Sequence, residues 1–216
     1  MSIIRTAALF ALLTILSTWS CTESAPTTTA DTMTTVVGNP AAKGFNKKDS
    51  DEKAIVLADK VMTANGGRTA WDNTRHLRWN FFGRRDLWWD KQTGDVRIES
   101  AADGMTYLFN INENSGQVSR RGVAITAADS LQEYTARGKS IWINDSYWLV
   151  FPFKLKDSGV TLRYMGQDTT AKGATSEVVQ LTFDSVGDTP DNRYLAYISP
   201  EGMVTQWDFY SNAADT

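Results

Sequence analysis

"HLRWNFFGRRDLWWDKQTGDVRIES", residues 76–100, decides the fold class. Leu77, Trp79 and Phe81 fall on one side of an extended chain, against Arg78 and Asn80. After Gly83, "RRDLWWD" reads as a second strand and "KQTGD" as a hairpin turn. Val96 and Ile98 then alternate with Arg97 and Glu99. A period of two places successive side chains on opposite faces of a sheet. Strands in series joined by short glycine-bearing turns predict an antiparallel meander.

The same reading extends in both directions. "MTYLFNIN" and "QVSRRGV", separated by "ENSG", continue the meander. Upstream, "DSDEKAIVLADKVMTANGG" has helical spacing, with Ala54, Leu57, Ala58, Val61 and Met62 on one face. Asp49 is the expected N-cap with Glu52 three residues on, and Gly66-Gly67 the stop. "RTAWDN" is a short second helical turn carrying Trp71. Downstream, "TAADSLQEYTARGKS" predicts a helix ended by Gly138. Four strands follow later: "VTLRYMGQ", "TSEVVQLTFD", "NRYLAYIS" and "GMVTQWDFYS", with "VGDTP" and "SPEG" as turns between the last three. The expected class is mainly β (α+β), with one long antiparallel sheet that must curl to bury its inner side.

Between the helix and the last strands lies "SIWINDSYWLVFPFKLKDSG", residues 140–159, with five aromatic residues. Trp142 and Asn144 share a face if this part is extended. Asp145 can cap a following helical turn that brings Tyr147, Trp148 and Phe151 together and stops at Pro152. Such a turn either plugs the sheet or forms a lid on an apolar cavity, with Lys154 and Lys156 at its mouth. Asn144-Asp145-Ser146 also matches a glycosylation sequon.

The N-terminus has another logic. Arg5 precedes an apolar run from Ala7 to Leu16 that is too short to span a bilayer, and small polar residues lead to Cys21, the only cysteine. Residues 1–20 read as a signal peptide and Cys21 as the lipidated acceptor of a bacterial lipoprotein, although Thr18 stands where leucine is usual. Residues 21–50 are rich in Thr, Ser, Ala and Pro and read as a flexible tether with a span of about 30 Å. The single domain is expected over 51–216.

Without residues 1–20 the chain has 21 basic and 25 acidic residues, a net charge of −4. No basic face is implied, so nucleic acid is not an expected partner. Seven tryptophans remain in that mature chain, a load shared by sheet cores, sugar sites and lipid cavities.

"GGRTAWDNTRHLRWNFFGRRDLWWDKQTGDVRIE", "WINDSYWLVFPFKLKDSGVTLRY" and "FDSVGDTPDNRYLAYIS" resemble the LolA/LppX-like superfamily. More closely, they are similar to bacterial proteins labelled outer membrane lipoprotein-sorting protein. The resemblance spans roughly residues 51–210. It implies an incomplete, curved antiparallel β-barrel with helices on its concave side and an apolar cavity. It also implies acyl chains, lipids or lipidated proteins as ligands.

Catalytic sets are sparse. His76 is the only histidine, and no Gly-x-Ser-x-Gly, His-Glu-x-x-His or Cys-x-x-Cys motif occurs. "GKS" at 138–140 has Glu133 where a phosphate loop needs glycine. Asp86, Asp90 and Asp95 read as a solvated hairpin end rather than a facing carboxylate pair. The expectation is therefore a non-enzymatic lipoprotein without metal or cofactor, held on a membrane by its lipid anchor. It would face the periplasm from the outer membrane, with an envelope protein as a possible partner. The expected ligand-binding residues are Trp79, Phe81, Trp142, Tyr147, Trp148, Phe151, Phe153 and Lys154. The alternative is a periplasmic carbohydrate-binding or glycoside-acting protein.

Overall fold

The computed structural model describes residues 38–184, 186, 191–212 and 214. Cys21, the signal peptide and most of the "VGDTP" turn lie outside the described residues.

The β-strands form two antiparallel meanders. β1 (His76–Phe81), β2 (Arg85–Asp90), β3 (Asp95–Ser100), β4 (Met105–Asn110), β5 (Gly116–Arg120) and β6 (Val123–Ala124) pair in sequence order as the first sheet. β7 (Val160–Thr169), β8 (Thr175–Phe183), β9 (Arg193–Ile198) and β10 (Val204–Tyr210) form the second. The expected class holds. The expected single curled sheet does not, because a long helix separates the two meanders in the chain and packs against both.

Alternation sets the faces as read. Leu77 pairs with Trp89, Trp79 with Leu87, and Ile98 with Tyr107, all turned inward. Leu87 and Ile98 are fully buried, a gain of about 1.5–3 kcal/mol each. On the solvent face Arg78, Trp88, Arg97, Leu108 and Gln117 form one cross-strand row. The Arg78 guanidinium lies 5.0 Å from the Trp88 ring centre. The hairpin before β3 turns through Gly94 at φ 85°, and the Asp90 carboxylate accepts the backbone N–H groups of Gln92 and Thr93.

α1 (Glu52–Ala64) is the expected helix, and its apolar stripe Ala54, Leu57, Ala58 and Val61 packs on the second sheet. Its N-cap position is Asp51, not Asp49, which lies in a 3-10 turn (Lys47–Asp49). Asp51 makes no cap hydrogen bond. Its carboxylate accepts the Tyr164 backbone N–H at 2.8 Å and Arg163 at 3.0 Å, tying the helix start to β7. Gly66 and Gly67 take positive φ and turn the chain into α2 (Gly67–Asn73).

α3 (Ala128–Val150) is one helix of 23 residues. Gly138 does not end it. That glycine is buried against the first sheet, where an added Cβ would come within 3.0 Å of the Tyr107 ring and 3.1 Å of the Phe109 ring. The glycine is needed for close approach, not for a turn. Leu131, Thr135, Gly138, Trp142 and Asp145 thus form the stripe facing the first sheet. The helix stops at Val150, and Phe151–Phe153, containing Pro152, form a 3-10 turn.

Residues 39–50, expected as part of the tether, are bound to the domain. Asn39 donates to Asp59 at 2.8 Å, and Lys156 forms an ion pair with the same buried carboxylate. Ala42 N–H donates to Lys156 and Asn46 N–H to Val160. Residues 39–50 are therefore a strap bound to the second sheet and the turn after α3. A polar, unperiodic segment can be ordered by hydrogen bonds to a neighbour, which periodicity does not register. Among the described residues no helix is long and apolar enough to cross a membrane.

Candidate functional site

The site is built around the C-terminal half of α3. One face of that half, through Ser140, Ile143 or Asn144, and Tyr147, recurs at helical spacing. It borders a cleft of about 550 Å³ whose other wall comes from β7, β8 and β9: Val160, Phe183 and Tyr194. The cleft size falls within the range of small-molecule sites, and its mix of rings and a few polar groups suits one.

Of the eight expected binding residues, Trp142, Tyr147, Trp148 and Lys154 line this cleft. The other four do not. Trp79 and Phe81 pack into the first sheet's core, Phe151 is 1% exposed within the second, and Phe153 stacks on Trp71 at 4.4 Å. The single lid of rings is thus divided: α3 sends successive aromatics into two different cores. Trp148 joins them. It meets Phe81 and Phe82 at 5.9 Å on the first hairpin, and Trp207 at 4.4 Å on β10. Phe82, at φ 48° and 73% exposed, and Phe209, 44% exposed, leave the outer end of this aromatic chain open to solvent.

Asp145 has a different role from the expected cap. It is fully buried in mid-helix and accepts two hydrogen bonds from Arg85, Nε at 2.7 Å and Nη2 at 2.9 Å. Asn144 adds a third at 3.0 Å. Bidentate pairing with the first residue of β2 fixes where α3 crosses the sheet. The Asn144 sequon residue is exposed beside this pair.

The cleft is electrically closed. Lys154 and Asp157 both line it and pair with each other at 2.8 Å. Burial raises the Tyr147 hydroxyl well above the usual tyrosine range, and the neighbouring Tyr194 and Asp157 push it further. Burial also pushes Tyr194 up to about 12, against the opposing effect of a hydrogen bond from Trp148. Both phenols are neutral at physiological pH. Two buried donors on cleft residues, Trp142 Nε1 and Tyr147 Oη, have no partner among the described residues.

No family model, no curated protein and no solved structure matches the chain.

Sequence reasoning missed Ile143, Asp157, Phe183 and Tyr194. Phe183 and Tyr194 were visible as aromatics in strands of period two, on the face shared with Leu181 and Ala196. Ile143 was hidden by reading a break at Gly138. Of the carboxylates around the β2–β3 hairpin, Asp90 pairs with Arg75 at 2.8 Å, which holds it well below the usual carboxylate range. His76 is exposed beside it at 3.3 Å. No group of three or more His, Cys, Asp or Glu that could hold a metal occurs among the described residues.

Proposed function

We propose that this chain is a membrane-tethered bacterial lipoprotein that binds an apolar ligand in the cleft beside α3 and catalyses no reaction. The ligand is an acyl chain, a lipid or a lipid-modified segment of another protein. The observation that carries this reading is the cleft itself, with Trp142, Ile143, Tyr147, Trp148, Phe183 and Tyr194 around about 550 Å³ and one closed ion pair. Two meanders facing a helix also suit an incomplete barrel of the LolA kind. Cys21 after its apolar run supplies the anchor, and the outer membrane, periplasmic side, is the proposed location. The test is mass spectrometry of organic extracts from the purified mature protein and from Ile143→Trp, which fills the cleft from a partly exposed position. A discrete apolar species recovered only from the wild type supports the reading. The same extract from both proteins, or no retained species together with no uptake of an apolar dye, contradicts it.

A second reading, carbohydrate binding, is favoured by one observation. A groove of about 920 Å³ crosses the solvent face of the first sheet, lined by Arg78, Trp88, Asp90, Arg97, Asn110 and Gln117. Planar donors and acceptors around a ring are the chemistry of a sugar site. Loss of soluble-oligosaccharide binding in Trp88→Ala tests it.

A further inference from the structure

We propose that the strap over residues 39–50 is coupled to occupancy of the cleft: the cleft holds its ligand tightly while the strap is docked, and a bound ligand holds the strap down. This rests on the reading that the cleft takes an apolar ligand, and it names how that site is regulated.

The two share one element, the turn between Phe153 and the start of β7. On one side this turn lines the cleft, through Lys154, Asp157, Ser158 and Val160. On the other it carries the strap. Ala42 N–H donates to Lys156 O at 2.9 Å, Gly159 N–H to Gly44 O at 2.8 Å, and Asn46 N–H to Val160 O at 3.0 Å. The Asn46 side-chain amide donates to Gly159 O at 3.3 Å and to Thr161 Oγ1 at 3.1 Å. Lys156 Nζ donates to Asn39 O and pairs with Asp59. Asp157 borders both the cleft and a small crevice under the strap lined by Asn39 and Pro40. No strap residue lines the cleft itself. One turn therefore separates strap from ligand, and any effect of one on the other passes through it.

Backbone satisfaction gives the coupling its force. Gly159 is buried, and its N–H loses its acceptor when the strap lifts. A buried N–H without a partner is costly, so the turn must open to water. Opening moves Ser158 and Val160, which flank Gly159 and form the rim. Two sites that bias one element are coupled reciprocally: the factor by which the strap tightens the ligand is the factor by which the ligand tightens the strap. The chain from Cys21 enters the domain through this strap, so the proposed anchor and the cleft meet at one turn.

The test uses the purified mature protein with Nile red as the probe. Gly44→Ala and Asn46→Ala each loosen the strap without touching the cleft. The first places a methyl at φ 91° and within 2.6 Å of Ser158 Oγ, and the second removes two side-chain hydrogen bonds. Each should weaken the dye by about five-fold or more. Ile98→Val lowers stability from the core of the first sheet and should leave the affinity within about two-fold of wild type. The reciprocal arm needs wild type alone. Saturating dye should slow amide hydrogen exchange at Ala42 and Asn46, read while the β3 amides are still protected, so that the exchange reports local opening. Both strap variants binding the dye as wild type does, or strap exchange unchanged by saturating dye, overturns the coupling and leaves the cleft reading intact. Wild-type protein that binds no dye overturns the cleft reading, and the coupling with it.

Discussion

Replacing Arg85 with methionine would strand a carboxylate. Asp145 is fully buried, and Arg85 supplies two of the three hydrogen bonds it receives, at 2.7 and 2.9 Å. Only Asn144 would remain as a donor. Breaking a buried pair from one side costs about 3–5 kcal/mol, because the other charge stays desolvated. For a domain of this size each kcal/mol shifts the melting temperature by about 2–4 °C, so Arg85→Met should lower it by about 6–20 °C. Asp145→Asn removes the charge but keeps one acceptor, and should cost about 1.5–3 kcal/mol, the value of hydrogen bonds to a charged group. The double variant Arg85→Met with Asp145→Leu removes both charges and should recover most of the loss. Circular dichroism melts of the four proteins close the cycle. The asparagine variant is the decisive arm. Asparagine caps a helix as well as aspartate does, so a cap would tolerate it. If Asp145→Asn and Arg85→Met both melt within about 1 °C of wild type, the buried pair and the continuous α3 are wrong.

Gly138→Ala gains up to about 1 kcal/mol of helix propensity, yet its methyl would press on the rings of Tyr107 and Phe109 at 3.0–3.1 Å. Because Tyr107 is 1% exposed and cannot move aside, overpacking should win by about 1–3 kcal/mol and the melting temperature should fall; a rise would show that the sheet yields. A chain starting at residue 51 should melt several degrees below one starting at residue 38, since it loses the hydrogen bonds from Asn39, Ala42 and Asn46; equal melting would make the strap dispensable. Tyr194 and Tyr197 are both raised to about 12, chiefly by burial, above an unfolded value near 10. Their neutral forms favour the folded state, so that contribution is full below about pH 10 and is lost as pH rises toward 12. Equilibrium denaturation across that window should show stability falling with pH, and a flat profile would contradict the assigned environments.

The strands were legible because alternation is a local property: Leu77, Trp79, Val96 and Ile98 each announce their face. The stop at Gly66-Gly67 and the break at Pro152 were legible for the same reason. Gly138 and Asp145 were not. Each carries a local signal, helix stop and helix cap, that a tertiary contact overrides: close approach to Tyr107 in one case, pairing with Arg85 in the other. With the helix misread as two pieces, its two faces could not be separated, and rings bound for two cores were assigned to one cavity. Four of the eight residues expected to bind nevertheless line the cleft, because an aromatic stretch between two meanders has only the sheets to pack against. The strap over residues 39–50 gave no signal, since hydrogen bonds from a polar segment leave no period.

The cleft is the centre of this account, and occupancy by an apolar molecule tests it most directly. Nile red, a neutral apolar dye, should brighten and saturate on titration into the mature protein at a stoichiometry of one. Ile143→Trp, which fills the cleft lined by Tyr147 and Tyr194, should abolish that signal while melting within a few degrees of wild type. Wild-type protein that leaves the dye dark, or an Ile143→Trp protein that takes it up equally well, would contradict the account.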